Sequence, residues 1–98
     1  MKKFLLVAEL TKYNQLPSPE ARKRHLDYLK TAGTKNKVVM AGRFADEEGA
    51  LIIWRVASMD EAHSLADSDP YYLDGLITYD LREWPVIFDY TINPPKMP

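Results

Sequence analysis

"KVVMAGRFADEEGALIIWRV", Lys37 to Val56, holds the reading of the fold. Residues 37–44 are mostly apolar with a β-branched pair, and residues 45–49 ("ADEEG") make a polar, glycine-ended break. Residues 50–56 ("ALIIWRV") then return to aliphatic and aromatic side chains. This order predicts two strands joined as a hairpin. Upstream, the chain turns helical from Pro19, with Ser18 as N-cap and Glu20 in the first turn. Ala21, Tyr28, Leu29 and Ala32 recur three and four apart, and Gly33 is a natural stop. Downstream, Ser58 with Glu61 has the spacing of a capping box and opens a second helix ending near Asp67 or Ser68.

The outer segments complete the pattern. Residues 2–10, "KKFLLVAEL", are a short apolar run that suits a strand buried on both faces. The polar, proline-containing stretch "TKYNQLPSP" breaks it. Residues 76–90, "LITYDLREWPVIFDY", alternate as a strand, and Pro85, which cannot donate to a ladder, predicts an edge position or a bulge there. Residues 91–98, "TINPPKMP", read as an extended C-terminal arm. The order is therefore βαββαβ over one domain, residues 1–98. That is a ferredoxin-like α+β fold: a four-stranded antiparallel sheet with two helices on one face. A helix-free face that meets water should be polar. Strands one and three are apolar on both sides instead, so a homodimer joined through the helix-free face is expected. A curled sheet or cover by the tail is the alternative.

Composition bounds the function. The chain has 98 residues, 46% hydrophobic and 28% charged, with a net charge of −1, which suits one globular domain and supplies no field for nucleic acid or an anionic membrane. The basic run Ala21 to His25 is an ordinary solvated helix face. Cysteine is absent, so thiol catalysis, thiolate metal sites and disulfides are excluded, in keeping with a reducing compartment. The apolar start breaks off at Glu9, short of a signal peptide, and no run has the length of a membrane span, so a cytoplasmic location is expected. Two histidines without an acid pattern make no metal site, and no phosphate-cradling glycine loop is present. No cofactor is expected. Trp54 and Trp84 read as core or dimer-interface aromatics.

Chemistry centres on His25 and on "DSDPYY", Asp67 to Tyr72. His25 falls on the apolar stripe of the first helix, and an imidazole exchanges protons near neutrality. Pro70 biases Asp69 away from helical geometry, and both helices pack on the same sheet face, so the Asp69 carboxylate can reach the first helix. A carboxylate that accepts from a ring N–H selects the tautomer and raises the basicity of the imidazole. His25 and Asp69 are thus a candidate general acid/base dyad, with Tyr71 or Tyr72 lining the same pocket. The plainer alternative is a buried histidine bonded to a backbone carbonyl, with Asp69 as a local cap and the tyrosines as packing. His63 reads as exposed and Asp67 as a solvated helix-end residue.

These residues carry a resemblance. Arg22-Lys23-Arg24-His25-Leu26 resembles the R-x-x-H-L of the YCII-related (YciI-like) family. Ala41-Gly42 resembles its A-G, Ser58 to Ala66 its S-x-x-E-A helix, and Asp69-Pro70-Tyr71 with Gly75-Leu76 its D-P-Y…G-L turn, in order along nearly the whole chain. The resemblance implies a dimeric α+β barrel with a His–Asp pair in a pocket, carried here onto His25 and Asp69. It implies kinship with small cofactor-independent lyases and isomerases that act on aromatic breakdown products. Arg22, Arg43, Gly42, Tyr71 and Tyr72 become the substrate-binding set. Two departures stand out: the stretch from Gly33 to Ala41 is longer than usual, and Arg43 directly follows Ala-Gly, where a cation would narrow the pocket or bind an acidic substrate. The first reading is an enzyme of lyase or isomerase type, in which the dyad acts on a small acidic, aromatic or enol-bearing metabolite. The second is a non-catalytic dimer that binds a small molecule or another protein.

Overall fold

The helices form where their caps stand. In the computed structural model, which describes residues 2–9 as backbone and residues 16–89 in full, helix α1 spans Pro19–Thr34. The Ser18 hydroxyl accepts from the amide of Ala21 at 3.1 Å. Helix α2 spans Met59–Asp67, and the Ser58 hydroxyl accepts from the amide of Glu61 at 3.1 Å. Each hydroxyl satisfies a donor that has no partner inside its helix. Gly33 does not stop α1. The helix runs one residue further, and Asn36, at φ 62°, takes the left-handed position beyond the end. Glycine tolerates a helical φ as well as a positive one, and asparagine is the next best residue for the left-handed turn. Leu10, the break over residues 11–15, the side chains of strand one and the arm 91–98 lie outside the described residues.

Strands β1 (Lys2–Glu9), β2 (Val38–Arg43), β3 (Gly49–Val56) and β4 (Tyr79–Glu83) form one sheet in the order β2-β3-β1-β4, antiparallel throughout. Strand β4 is shorter than the alternation over residues 76–90 implies. It ends two residues before Pro85, since proline restricts the residue ahead of it and brings no N–H of its own. Of the edge position or bulge expected at Pro85, β4 has the edge position, and Pro85 itself lies just beyond the strand. A register shift lies between Val38 and Met40 in β2. Val38 opposes Trp54, but Ala41 opposes Ile52 and Arg43 opposes Ala50. An unshifted ladder would put Gly42 opposite Ala50. The shift therefore moves Arg43 onto the sheet face that carries the helices, as a one-residue slip must.

That face holds the core. Ile52, Trp54 and Val56 from β3 pack with Ala21 and Ala32 of α1, Ala62 and Ala66 of α2, Tyr71 and Ile77. Alanines let both helices approach a central Trp54, whose exposure is 0%. Tyr28 meets the Trp54 ring edge-on at 6.5 Å, and its hydroxyl donates to the Leu65 carbonyl at 2.6 Å, which fastens α1 to α2. The opposite face is mixed. Ile53 is 6% exposed and Met40, its register partner, is 49% exposed. On β4 the same face carries the exposed Asp80–Arg82 ion pair at 2.9 Å. Among the described residues no helix is long and apolar enough to cross a membrane.

Candidate functional site

Asp69 stands between α2 and a one-turn helix α3, Pro70–Leu73, which it caps. Pro70 fills the first helical position, where a missing N–H costs nothing, and holds Asp69 extended at φ −63°, ψ 127°. The Asp69 Oδ1 accepts the Tyr71 amide at 2.9 Å and lies 2.8 Å from Nδ1 of His25. An oxygen already accepting a backbone N–H takes the imidazole as a second donor. Nδ1 therefore carries a proton, and in the neutral ring Nε2 keeps its lone pair. Asp69 is thus a helix cap and also the partner of His25, whose ring takes this carboxylate rather than a backbone carbonyl. It is 1% exposed, and its Oδ2 has no hydrogen-bond partner. A buried carboxylate oxygen left so is costly, and such groups are held in place by the structure around them.

The Tyr71 ring lies on the His25 ring, parallel within 4° at a centroid distance of 4.0 Å. Imidazole tilt is thereby set from two directions, by the Asp69 bond at its edge and by the phenol on its face. Tyr71 is buried, and burial pushes its hydroxyl above the usual phenol range, while Arg43 and Arg22 pull the other way. The phenol therefore stays protonated at neutral pH. His25, Tyr71, Arg22 and Arg43 open onto a cavity of about 230 Å³ whose remaining walls include Leu26, Leu29, Ala41 and Gly42. A Cβ at Gly42 would meet nothing within 4 Å, so the backbone does not demand glycine there. Arg22 forms no salt bridge among the described residues, and Arg43 has only Glu47 at 3.9 Å. Two guanidinium groups with so little local compensation make the cavity attractive to an anion.

Tyr72 is not in this cavity. Consecutive helical residues point about 100° apart, and in this turn of helix Tyr71 takes the cavity side. Tyr72 turns to β4 and meets Tyr79 edge-on at 5.3 Å. There it borders a second polar cluster, in which the Tyr79 hydroxyl donates to Asp67 at 2.6 Å and His63 Nδ1 lies 2.9 Å from the same oxygen. Burial first and Asp67 second push the Tyr79 phenol above its ordinary range. Asp67 is exposed, as its position at a helix end suggests, but it has this partner. Two features of the candidate site had no clear sequence signal. One is the β2 register shift that delivers Arg43; the other is the Arg24–Asp74 ion pair at 2.7 Å, which ties α1 to the end of α3 beside His25. Among the described residues no group of three or more His, Cys, Asp or Glu side chains could hold a metal ion.

The model of the YCII-related domain family matches residues 3–85. No curated protein matches the chain. Among solved structures, the chain is similar to 5-chloro-2-hydroxyhydroquinone dehydrochlorinase (TftG) from Burkholderia phenoliruptrix AC1100, in complex with 2,5-dihydroxybenzoquinone. The TM-score is 0.59 at 23% identity, over 84% of this chain and 92% of the other, a likeness in fold.

Proposed function

Because the chain belongs to the YCII-related domain family, we propose that it is a small cofactor-independent enzyme of lyase or isomerase type, with His25 as its acid/base and Asp69 as the residue that orients it. The observation that carries this reading is the His25–Asp69 bond at 2.8 Å on a ring that borders a cavity shared with two arginines. Nε2 removes a proton from carbon. The electron pair left behind either forms a double bond as a leaving group departs with its own pair, or moves onto a carbonyl oxygen as an enolate. Asp69 balances the imidazolium that forms. Arg22 and Arg43 stabilise the oxyanion, which is where charge develops. The dehydrochlorinase with its bound dihydroxyquinone suggests the substrate class: a small acidic ring compound with a phenol or enol.

Arg43→Ala is expected to weaken binding of such an acid about tenfold or more, as loss of one charge-assisted bond implies, and calorimetric titration reads it. Turnover of a panel of these acids, lost in His25→Ala, tests the enzyme itself. Saturable binding with no chemical change would instead assign the cavity to sensing. The active unit is a homodimer joined through the helix-free face, supported by Met40 standing exposed there and by the limited core of a 98-residue chain. Sedimentation velocity should give twice the chain mass, and Met40→Glu should shift it toward the monomer. A monomer at micromolar concentration in the unaltered protein would remove the dimer.

A further inference from the structure

A second hollow adjoins the cavity. It is a groove of about 680 Å³ along the outer side of α1, and Arg22, Leu26, Leu29 and Ala41 line both spaces. Ligand sites commonly measure about 300–1,000 Å³; the inner cavity alone falls below that range, and the groove brings the whole within it. Two rows of side chains run down this helix at spacings of four and three. Arg22, Leu26 and Leu29 floor both hollows, while Lys23, Asp27 and Lys30 border the groove alone. Leu26 is exposed among charged neighbours. Asp27 pairs with Lys23 at 2.9 Å and attracts Lys30 only at longer range, so Lys30, at the far end, has no salt bridge among the described residues.

We propose that the groove is a subsite for the arm of an elongated ligand, an apolar stem that ends in a second anionic group, with Lys30 as its terminal partner. The inference rests on the reading of the inner cavity as the seat of an enolic or phenolic acid. Lys30 is five residues beyond His25 and about 140° around the helix from it, but only four beyond Leu26, which lines both hollows. From Leu26 it lies about 6 Å along the axis and about 40° around it, a step that a stem of about five or six carbons leaving the cavity covers. Leu26 and Leu29 cover such a stem, and each methylene fully removed from water tightens binding by about fourfold.

The test uses three probes in calorimetric titration of the whole chain: 2,5-dihydroxybenzoquinone, its 3-hexyl derivative and its 3-(5-carboxypentyl) derivative. The carboxypentyl probe is expected to bind at least tenfold tighter than the bare ring. Lys30→Glu should remove most of that gain and leave the bare-ring affinity within twofold. The hexyl probe should keep the gain from its stem and be indifferent to Lys30→Glu. Equal affinity for all three probes overturns the subsite while leaving the inner cavity's assignment intact. A carboxypentyl gain that survives Lys30→Glu overturns the role of Lys30. Failure of every probe to bind overturns the head-group class and the arm with it.

Discussion

Asp69→Asn is expected to lower turnover by about 10²–10⁴-fold and to leave the protein folded. Asparagine caps a helix about as well as aspartate, so its side-chain oxygen still accepts the Tyr71 amide and α3 persists. What changes is the charge. An amide offers no anion to balance an imidazolium. Because the one oxygen takes both the Tyr71 amide and the imidazole, the orientation that keeps the cap leaves His25 Nδ1 as donor and loses the countercharge alone; turning the N–H₂ toward the ring would give up the cap as well. The stability change stays within about 1–3 kcal/mol, because the amide nitrogen enters the buried place where Oδ2 has no partner. Asp69→Ala is the contrasting variant. It removes the cap as well, so activity and thermal stability fall together. Steady-state rates with thermal melts on the two variants separate the chemistry from the capping.

Trp54→Ala is expected to cost about 3–5 kcal/mol, since the side chain is wholly buried. A domain of this size carries roughly 5–15 kcal/mol in all, so the variant is unfolded in a measurable fraction at moderate urea. Trp54 is wholly buried against the alanines of both helices, and it is the residue Tyr28 meets edge-on. The cavity it leaves unseats α1, and His25 stands one helical turn from Tyr28. Trp54→Phe is expected to cost far less than the change in volume alone would suggest. The indole Nε1 has no hydrogen-bond partner, so the smaller ring gives up packing but no bond, and a buried donor disappears. Urea denaturation followed by far-ultraviolet circular dichroism measures both, with unchanged slopes marking a true stability effect.

The pair at the centre of the site was legible because two independent local rules converge on it. Helical spacing set His25 on the packed face of α1, and the residue before Pro70 had to leave helical geometry. Tyr71 and Tyr72 were not separable, since "PYY" read as a turn and a turn leaves both directions open; only its folding as a turn of helix assigns one to His25 and the other to Tyr79. The register shift in β2 has no marker either. Bulges are announced by glycine or proline, and Val38, Val39 and Met40 are neither. The shift lies within the stretch from Gly33 to Ala41. Strand β4 was overdrawn because alternation continues past Glu83, and only the backbone chemistry of Pro85 ends it. The charge balance of the cavity was half legible: Arg22 and Arg43 could be named, but their face depends on register.

The measurement that bears most directly on the central claim is solvent deuterium incorporation. A panel of small enolic and phenolic ring acids that bind the protein, headed by 2,5-dihydroxybenzoquinone, is incubated in D₂O and its carbon-bound hydrogens are followed by proton NMR. If His25 moves a proton at carbon, at least one bound compound exchanges faster with the unaltered protein than in buffer, and His25→Ala and Asp69→Asn both bring the rate back toward the buffer value. Exchange that continues unchanged in His25→Ala, or bound compounds that never exchange above buffer, would contradict it.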